Sequence, residues 1–351
     1  MSEPFYTIAV TGLNAVDNPG PGVPVVRSLR EAQSFGCRIV GLCYEMLEPG
    51  AYMKDLVDVC YQVPYPSAGT DVLLVRLKEI QEKEHVDVII PNFDAELFSY
   101  IKLKPDLLRM GIRLFLPSYE QFEARQKYNL ADFGASCGLK VPRSFICTSP
   151  EEFFKENWDF PVVLKGKFYE AYVVRDKEQF TSIFSRLVSS WGLPAIVQEY
   201  VEGTEFNLIG CCDGEGHLLA AVPMRKQYIT DKGKAWAGVT IKDAAIVGLA
   251  EKFVGEGRWR GAFEMEIIKA RNGGDMYILE INPRIPAWVY LATAAGVNIP
   301  EMLVHCSLEQ PVSPCLDYEV GKMFIRYSWD MVVDQSEFAE FSVTGEKHNR
   351  D

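Results

Sequence analysis

The chain has 351 residues, of which 48% are hydrophobic and 24% charged, a globular composition that excludes a disordered or fibrous chain. Its 36 Lys and Arg stand against 48 Asp and Glu, giving a net charge of −12 at pH 7, and it contains no basic stripe that would attract nucleic acid. No apolar run approaches the ~18 residues that a membrane span needs. We therefore expect neither nucleic acid nor a membrane as a partner.

Cysteine and histidine usage gives a further expectation about location and metals. The nine cysteines are scattered, without a CxxC pattern, and the four histidines have no metal-ligand spacing. The first residues lack the basic and apolar regions of a secretory signal. These features predict a cytoplasmic protein with reduced thiols and no zinc site.

Short apolar runs alternate with helical patterns in about the first 115 residues. The predicted strands are 6–11, 38–43, 86–90 and 113–116, and the predicted helices are 23–35, which Gly36 would stop, and 71–84. This alternation predicts a parallel α/β sheet, which binds ligands at the carboxyl ends of its strands.

The pattern changes after residue 117. Ser118 and Gln121 form a predicted capping box for a helix that runs to about residue 137, with Gly138 just beyond it. Later predicted strands are 162–165, 171–174, 195–200, 206–212, 218–224, 261–269 and 276–281, with helices at 177–190 and 243–256. The expected fold class is α/β followed by α+β, divided at 1–116, 117–200, 201–320 and 321–351.

The most informative stretch is a predicted hairpin over 261–284, joined by a three-residue loop at 272–274. That loop places Glu266 opposite Glu280 and Glu264 opposite Asn282, on one face of the sheet. Opposed like charges are destabilising, so this cluster of oxygen ligands calls for a cation such as Mg²⁺ bound together with phosphates. Alternatively, the hairpin is polar because it faces solvent. The opposite face is assigned to Tyr277, Leu279 and Ile281.

The segment Glu280-Ile281-Asn282-Pro283-Arg284, with Glu266 on the neighbouring strand, resembles the metal-binding motif of the ATP-grasp superfamily of carboxylate–amine ligases. The similarity runs from about residue 7 to residue 311. It implies a pre-ATP-grasp domain followed by a two-lobed ATP-grasp domain, with ATP and Mg²⁺ as cofactors. Glu266, Glu280 and Asn282 would hold Mg²⁺. Arg284 would contact the reacting carboxylate or acyl-phosphate; alternatively, it forms an ion pair with Glu280 or Glu264.

The resemblance also assigns contacts to the phosphates of ATP. Lys127 and Lys165 match the two lysines of the family that bind phosphate. Lys165 ends an apolar strand, and a buried lysine without an anion is costly, which favours a phosphate ligand independently of the resemblance. Lys127 lies in the middle of a predicted helix, where a solvated surface lysine is the alternative.

The segment 198–205 resembles the adenine-binding hinge of the family. In this interpretation Gln198 opens the motif, the main-chain groups of Glu199 and Val201 bind the adenine edge, and Glu205 accepts the ribose hydroxyls. The alternative is a strand that ends in a turn at Gly203. The connection 166–171 contains a single glycine, whereas relatives carry a glycine-rich lid there, and Lys167 is the residue that would compensate.

Basic and acidic residues near the predicted strand ends are candidates for contact with substrate. The family places a basic residue near Arg225 and Lys226, of which we favour Arg225; the alternative is a solvated pair. Asp94 and Glu96 either bind a substrate amine or cap the following helix. The substrate pocket is expected to include Trp236, Glu264, Trp288 and Asp94.

The predicted function is an ATP-dependent ligase that activates a carboxylate as an acyl-phosphate and joins it to an amine, in an amino acid or a peptide. One alternative is an ATP-binding partner protein with a degenerate lid and little turnover. A third candidate is an ATP-grasp enzyme of the carboxy- or carbamoyl-phosphate type. The expected partners are small-molecule carboxylates and amines, and a homodimer is the default oligomer.

Overall fold

The structure is a computed structural model that describes residues 4–15, 19–166, 170–230, 234–328 and 330–350. Its strands form three sheets, of five, six and four strands, with helices packed against them. The mixed α/β and α+β architecture predicted from the sequence is confirmed. The four domain boundaries stay a prediction.

The first part of the chain alternates strands and helices. Its elements are β1 (Phe5–Thr11), α1 (Gly22–Arg30), β2 (Gly36–Cys43), β3 (Val59–Gln62), α2 (Thr70–Glu84), β4 (Val88–Ile90) and α3 (Asp94–Arg109). β1 pairs in parallel with β2 and β4, and β2 pairs in parallel with β3, as the alternation predicted. The carboxyl ends of these strands therefore lie at one edge of the sheet.

Three predictions for this region were wrong in detail. β3, a strand of four residues, was missed. The expected strand at 113–116 is only an isolated bridge between Val88 and Arg113. The first helix ends at Arg30, and Gly36 begins β2 instead of stopping the helix.

The next part of the chain forms the four-stranded antiparallel sheet, in the order β5-β8-β6-β7. Its elements are α4 (Tyr119–Ala124), α5 (Leu130–Ser136), β5 (Ser144–Cys147), α6 (Pro150–Lys155), β6 (Val162–Lys165), β7 (Ala171–Val174), α7 (Lys177–Trp191) and β8 (Ala195–Glu199). Phe153 of α6 and Phe180 of α7 stack at 4.3 Å between ring centroids and form the centre of its core.

The capping box at the start of α4 is confirmed, because Ser118 Oγ accepts from the Gln121 N–H at 3.2 Å and Gln121 Oε1 accepts from the Ser118 N–H at 3.0 Å. The helix does not continue to residue 137. It stops at Ala124, and Lys127 lies in the turn before α5, so the prediction of Lys127 within a helix was wrong.

The six-stranded sheet is built from longer strands in the order β13-β12-β9-β10-β11-β14. Its elements are β9 (Gly203–Asp213), β10 (Leu218–Ile229), β11 (Ala235–Thr240), α8 (Ala244–Gly257), β12 (Arg260–Ala270), β13 (Met276–Asn282), α9 (Tyr290–Ala294), α10 (Ile299–Ser307) and β14 (Met323–Ile325). One face of this sheet is covered by α8. Phe253 of the helix and Phe263 and Met265 of β12 are fully buried there. The opposite face carries the polar residues described below.

The final residues return to the first sheet. They form α11 (Gln335–Thr344) and β15 (Glu346–His348), and β15 pairs antiparallel with β3 at the edge of that sheet. Lys347 Nζ lies 2.5 Å from Glu337, and Lys83 Nζ lies 2.5 Å from Glu346. β15 therefore covers the edge that β3 would otherwise expose. None of the helices in the described part of the chain has the length and apolar character needed to cross a membrane.

Candidate active site

The hairpin between β12 and β13 carries the predicted pair of opposed carboxylates. Glu266 is the partner of Glu280, and Glu264 is the partner of Asn282, so the predicted register is confirmed at this position. The loop itself has four residues, 271–274, because the Ala270 N–H donates to the Asp275 carbonyl at 2.8 Å. The predicted three-residue loop was therefore wrong. A bulge lies on the loop side of the pair formed by Glu266 and Glu280, and it restores the predicted register at that pair.

The bulge residue is Leu279, which has no partner in the ladder. Simple alternation placed Tyr277 and Leu279 on the same face as Ile281, and this prediction was wrong. Ile278 and Ile281 are both fully buried in the core under α8, whereas Tyr277 and Leu279 are partly exposed. The extra residue shifts the alternation by one position and keeps Glu280 and Asn282 on the polar face.

β9 adds two more polar side chains to this face. Glu266 is the partner of Asn207, and Ile268 is the partner of Glu205 in the antiparallel ladder between β12 and β9. The side chains that share the face, which we call the acidic face, are those of Glu205, Asn207, Glu264, Glu266, Glu280 and Asn282.

Glu264 is the buried centre of a hydrogen-bond network. It accepts from Asn207 Nδ2 at 2.7 Å, from Trp288 Nε1 at 2.6 Å and from Asn282 Nδ2 at 3.1 Å. Two of the residues predicted for the substrate pocket, Glu264 and Trp288, therefore bind each other. The bond from Asn282 engages the amide nitrogen and leaves the amide oxygen of Asn282 as a candidate metal ligand.

Two lysines lie close to the partly exposed carboxylates of the acidic face. Lys127 Nζ lies 3.8 Å from Glu280 Oε1. Lys226 Nζ lies 2.9 Å from Glu205 Oε2 and 3.7 Å from Glu266 Oε2. Lys127 reaches this face from the turn that separates α4 and α5.

The preference for Arg225 over Lys226 is corrected by the geometry. Arg225 is the strand partner of the core residue Phe206, so its side chain lies on the face opposite Asn207, and it is exposed. Lys226 follows it and points to the acidic face. Burial disfavours the charge of Lys226, but Glu266 and Glu205 outweigh burial and raise the pKa of Lys226 above its ordinary value.

Lys165 lies at the end of β6 and is only 9% exposed. Its Nζ atom approaches the Leu279 carbonyl oxygen at 3.5 Å, so the bulge of β13 provides its contact. Burial lowers the pKa of Lys165, although the nearby Glu280 opposes this effect. A buried amine in this state is stabilised by an incoming anion.

Arg284 follows β13 and is held by carboxylates of two parts of the chain. Its Nε atom donates to Asp94 Oδ2 at 2.7 Å, and its NH1 atom lies 3.7 Å from Glu264 Oε2. The predicted ion pair with Glu264 is therefore present, and that with Asp94 was missed. Burial disfavours the guanidinium charge, but Asp94 and Glu264 raise the pKa of Arg284 above its ordinary value.

Asp94 and Glu96 have different roles at the start of α3. Glu96 is fully buried and accepts from the N–H groups of Asn92 at 2.7 Å and Phe93 at 2.9 Å, so it caps the helix. Asp94 instead contacts Arg284 and Arg125, whose NH2 atom lies 3.3 Å from Asp94 Oδ1.

The predicted hinge is the connection between β8 and β9. Gln198 is buried in β8, and the Glu199 N–H donates to the Arg143 carbonyl at 2.8 Å. Val201 lies in the connection itself, and Gly203 is already the first residue of β9, so the alternative of a turn at Gly203 was wrong. The assignment of this segment to adenine stays a prediction.

The lid connection is only partly described. The Gly166 N–H, next to the end of β6, donates to the Glu170 carbonyl, next to the start of β7, at 3.0 Å. Lys167 lies outside the described residues. Trp236, the remaining predicted pocket residue, lies in β11, where its carbonyl accepts from the Arg326 N–H at 2.9 Å.

Three residues of the site were missed by sequence reasoning. Asn207 could have been found, because it alternates with Glu205 as Glu264 does with Glu266. Arg125 and Arg326 gave no usable signal. The Arg326 Nε atom donates to the Ala235 carbonyl at 3.0 Å, and burial lowers its pKa while Glu264 opposes this.

Comparisons with known proteins match either part or most of the chain. Residues 193–323 match the family described as ATP-grasp in the biosynthetic pathway with Ter operon. The N-terminal section of the carbamoyl phosphate synthase large chain of Aquifex aeolicus is 27% identical over 299 residues, covering 70% of this chain and 51% of that protein. A carbamoyl-phosphate synthase of Methanobrevibacter smithii is 23% identical over 248 residues, covering 63% of this chain and 64% of that protein. The chain therefore spans between about half and two thirds of the length of these relatives.

Three solved structures share the fold at low sequence identity. An N5-carboxyaminoimidazole ribonucleotide synthetase in complex with ADP has a TM-score of 0.68 at 15% identity, covering 92% of this chain and 81% of that one. A Campylobacter jejuni biotin carboxylase has a TM-score of 0.70 at 15% identity, with coverages of 91% and 74%. A Bacillus licheniformis L-amino acid ligase has a TM-score of 0.64 at 14% identity, with coverages of 89% and 76%. The chain therefore has the fold of these three proteins, and its residues 193–323 match an ATP-grasp family model.

Proposed function

We propose that this chain is an ATP-dependent ligase, which activates a carboxylate as an acyl-phosphate and joins it to an amine of an amino acid or peptide. The observation that carries the proposal is the acidic face, on which Glu266 and Glu280 oppose each other while Lys127 and Lys226 approach from other elements. Carboxylates and lysines in this arrangement suit a metal-bound triphosphate, because the cation and the ammonium groups share its charge.

The residues present fit Mg²⁺ held jointly with phosphates. Within the described ranges, no group of three or more His, Cys, Asp or Glu side chains is placed to hold a metal by itself. The proposed ligands are two carboxylates, Glu266 and Glu280, and the amide oxygen of Asn282, whose nitrogen is engaged by Glu264. Mg²⁺ usually keeps part of its coordination for phosphate and water, and when bound it would neutralise developing charge on the phosphoryl oxygens.

ATP would lie between the four-stranded sheet and the acidic face. We assign phosphate contacts to Lys165 and Lys127, and adenine contacts to the main chain of Glu199 and Val201 after Gln198. Glu205 would accept the ribose hydroxyls while it keeps its ion pair with Lys226. The low exposure of Lys165 and its lowered pKa support this assignment, because a phosphate would restore its favoured charge.

Arg284 and Lys226 are the groups we assign to the reacting centre. Lys226 replaces the originally favoured Arg225, because it alone of the two points to the acidic face. A guanidinium and an ammonium placed there would orient the carboxylate and stabilise the charge that builds up during phosphoryl and acyl transfer.

Bicarbonate is a second candidate for the activated carboxylate, in the manner of carboxy- or carbamoyl-phosphate chemistry. Both curated relatives are named as carbamoyl-phosphate synthases, which favours this candidate. The short connection between β6 and β7 is the feature that favours an ATP-binding protein with little turnover.

The test is ADP formation with MgATP in three arms: amino acids and peptides pairwise, bicarbonate with and without an amine, and ATP alone. The ligase proposal expects ADP only when a carboxylate and an amine are both supplied, with an amide product detected by mass spectrometry. Bicarbonate-dependent ADP would favour the second candidate instead. Binding of MgATP by calorimetry with no ADP in any arm would contradict both.

Location and assembly extend this proposal. We place the protein in the cytoplasm, which the nine unpaired cysteines, eight of them buried, support.

We further propose a homodimer that pairs through β14, an edge strand with the exposed side chains of Met323 and Ile325. Light scattering of the purified chain and of Ile325→Lys tests the dimer.

A further inference from the structure

We propose that Asp94 is a positioning residue for Arg284, and that Arg125 holds Asp94 in this role. The inference rests on the proposed function, in which Arg284 contacts the reacting carboxylate or acyl-phosphate. It means that the N-terminal part of the chain, through the first turn of α3, contributes directly to the geometry of a site on the six-stranded sheet.

The contact between Asp94 and Arg284 links residues 190 positions apart in the sequence. Asp94 follows β4, at the carboxyl edge of the first sheet, and Arg284 follows β13. The bond from Arg284 Nε to Asp94 Oδ2 is 2.7 Å long, and the side chains of Asp94 and Arg284 are 26% and 20% exposed. A charge-assisted bond with this little exposure fixes the plane of a guanidinium more firmly than a solvated pair does.

Other contacts complete the orientation of Arg284. Its NH1 atom donates to the Ile285 carbonyl at 3.5 Å and lies 3.7 Å from Glu264 Oε2. Among the described residues, its NH2 atom has no hydrogen-bond partner. Protein contacts thus occupy Nε and NH1 and leave NH2 to meet a ligand.

Arg125 explains why Asp94 does not simply neutralise Arg284. Its NH2 atom lies 3.3 Å from Asp94 Oδ1, its side chain is 9% exposed, and its Nε atom is buried without a hydrogen-bond partner. Two guanidinium groups therefore share the carboxylate of Asp94, so that Asp94 is not the counter-ion of Arg284 alone. Burial raises the pKa of Asp94, but Arg284 and Arg125 lower it by more than burial raises it. The pKa therefore lies below its ordinary value, and Asp94 stays ionised.

The first experiment compares Asp94→Asn with Asp106→Asn. Asp106 lies in the same helix, where it pairs with Arg109 on the surface, and serves as the matched control. In the ADP-formation assay, Asp94→Asn is expected to raise the KM for the carboxylate and lower kcat, with kcat/KM falling roughly 10- to 100-fold. The KM for MgATP stays within about twofold. Arg125→Lys, which keeps the charge, is expected to lose less activity than Arg125→Gln.

The second experiment observes Arg284 without turnover. The Nε–Hε signal of Arg284, assigned by its loss in Arg284→Lys, is expected to exchange slowly with water in the native chain and in Asp106→Asn. In Asp94→Asn it is expected to exchange rapidly, while calorimetric binding of the non-hydrolysable analogue AMPPNP with Mg²⁺ is retained.

The outcomes separate this inference from the proposed function. An unchanged Arg284 signal in Asp94→Asn overturns the positioning role, whatever the enzyme does. An unchanged carboxylate KM and kcat in an active Asp94→Asn also overturns it. Absence of ADP in every arm with the native chain, together with an Asp94-dependent Arg284 signal, overturns the ligase proposal and supports the positioning contact.

Discussion

Lys165 Nζ lies 3.5 Å from the carbonyl oxygen of Leu279, the bulge residue of β13. The bulge keeps Glu280 opposite Glu266. Its Leu279 carbonyl also points to Lys165, the lysine at the end of β6. The same backbone feature therefore joins the four-stranded sheet to the acidic face. A phosphate ligand placed between Lys165 and Glu280 would lie at this junction.

Glu280→Gln is expected to reduce MgATP-dependent ADP formation at least roughly 100-fold, because the amide cannot supply the second opposed carboxylate. The measurement is initial rate against Mg²⁺ concentration, where the apparent affinity for Mg²⁺ should also fall. Asp275→Asn is the matched control, since Asp275 lies on the same hairpin but pairs with Lys140 at the surface. Equal rates in Glu280→Gln and the native chain would contradict the metal assignment.

Lys226→Met and Arg225→Met form a matched pair on adjacent positions of one strand. Loss of Lys226 is expected to lower kcat roughly 100-fold, because it removes a cation beside Glu205 and Glu266. Loss of Arg225, which is exposed on the opposite face, is expected to change kcat by less than about twofold. The reverse order of effects would restore the original assignment to Arg225.

Binding of MgATP is expected to take up a proton at pH values below the ordinary lysine pKa of about 10.4. Burial lowers the pKa of Lys165 in the free protein, so its neutral fraction below that pH is larger than that of an ordinary lysine, and an incoming phosphate raises the pKa again. Calorimetry in buffers of different ionisation enthalpy measures the uptake. Lys165→Met should abolish it, and an unchanged uptake in that variant would exclude Lys165 as its source.

Gly203→Ala is expected to destabilise the fold by about 1 to 3 kcal/mol, because its Cβ atom would lie 2.2 Å from the Lys269 carbonyl oxygen where β9 meets β12. Gly248→Ala provides the contrast. Gly248 lies within α8, and its added Cβ would meet nothing within 4 Å, so a gain of about 0.5 to 1 kcal/mol is expected. Denaturant unfolding monitored by circular dichroism measures both. A neutral Gly203→Ala would mean that β9 and β12 can separate at this end.

Local sequence patterns were sufficient for most of the elements and for the centre of the site. Three features depend only on residues that are close in the sequence, so they could be predicted. They are the capping box at Ser118, the apolar strand that ends in Lys165 and the alternation that places Glu264 and Glu266 on one face. The motif ending in Arg284 carries the resemblance to the ATP-grasp superfamily for the same reason. β3 was missed, although β6, which has the same length, was predicted.

Contacts between distant segments were decided only by the tertiary structure. The choice of Lys226 over Arg225 depends on the register between β10 and β9, which decides on which face of the sheet each side chain lies. The bulge at Leu279 depends on how β13 pairs with β12. The link from Asp94 to Arg284 joins two sheets, and a local pattern contains no information about which distant guanidinium a carboxylate will meet. The sequence by itself determined the chemistry of the side chains, and packing of the sheets determined which of them face one another.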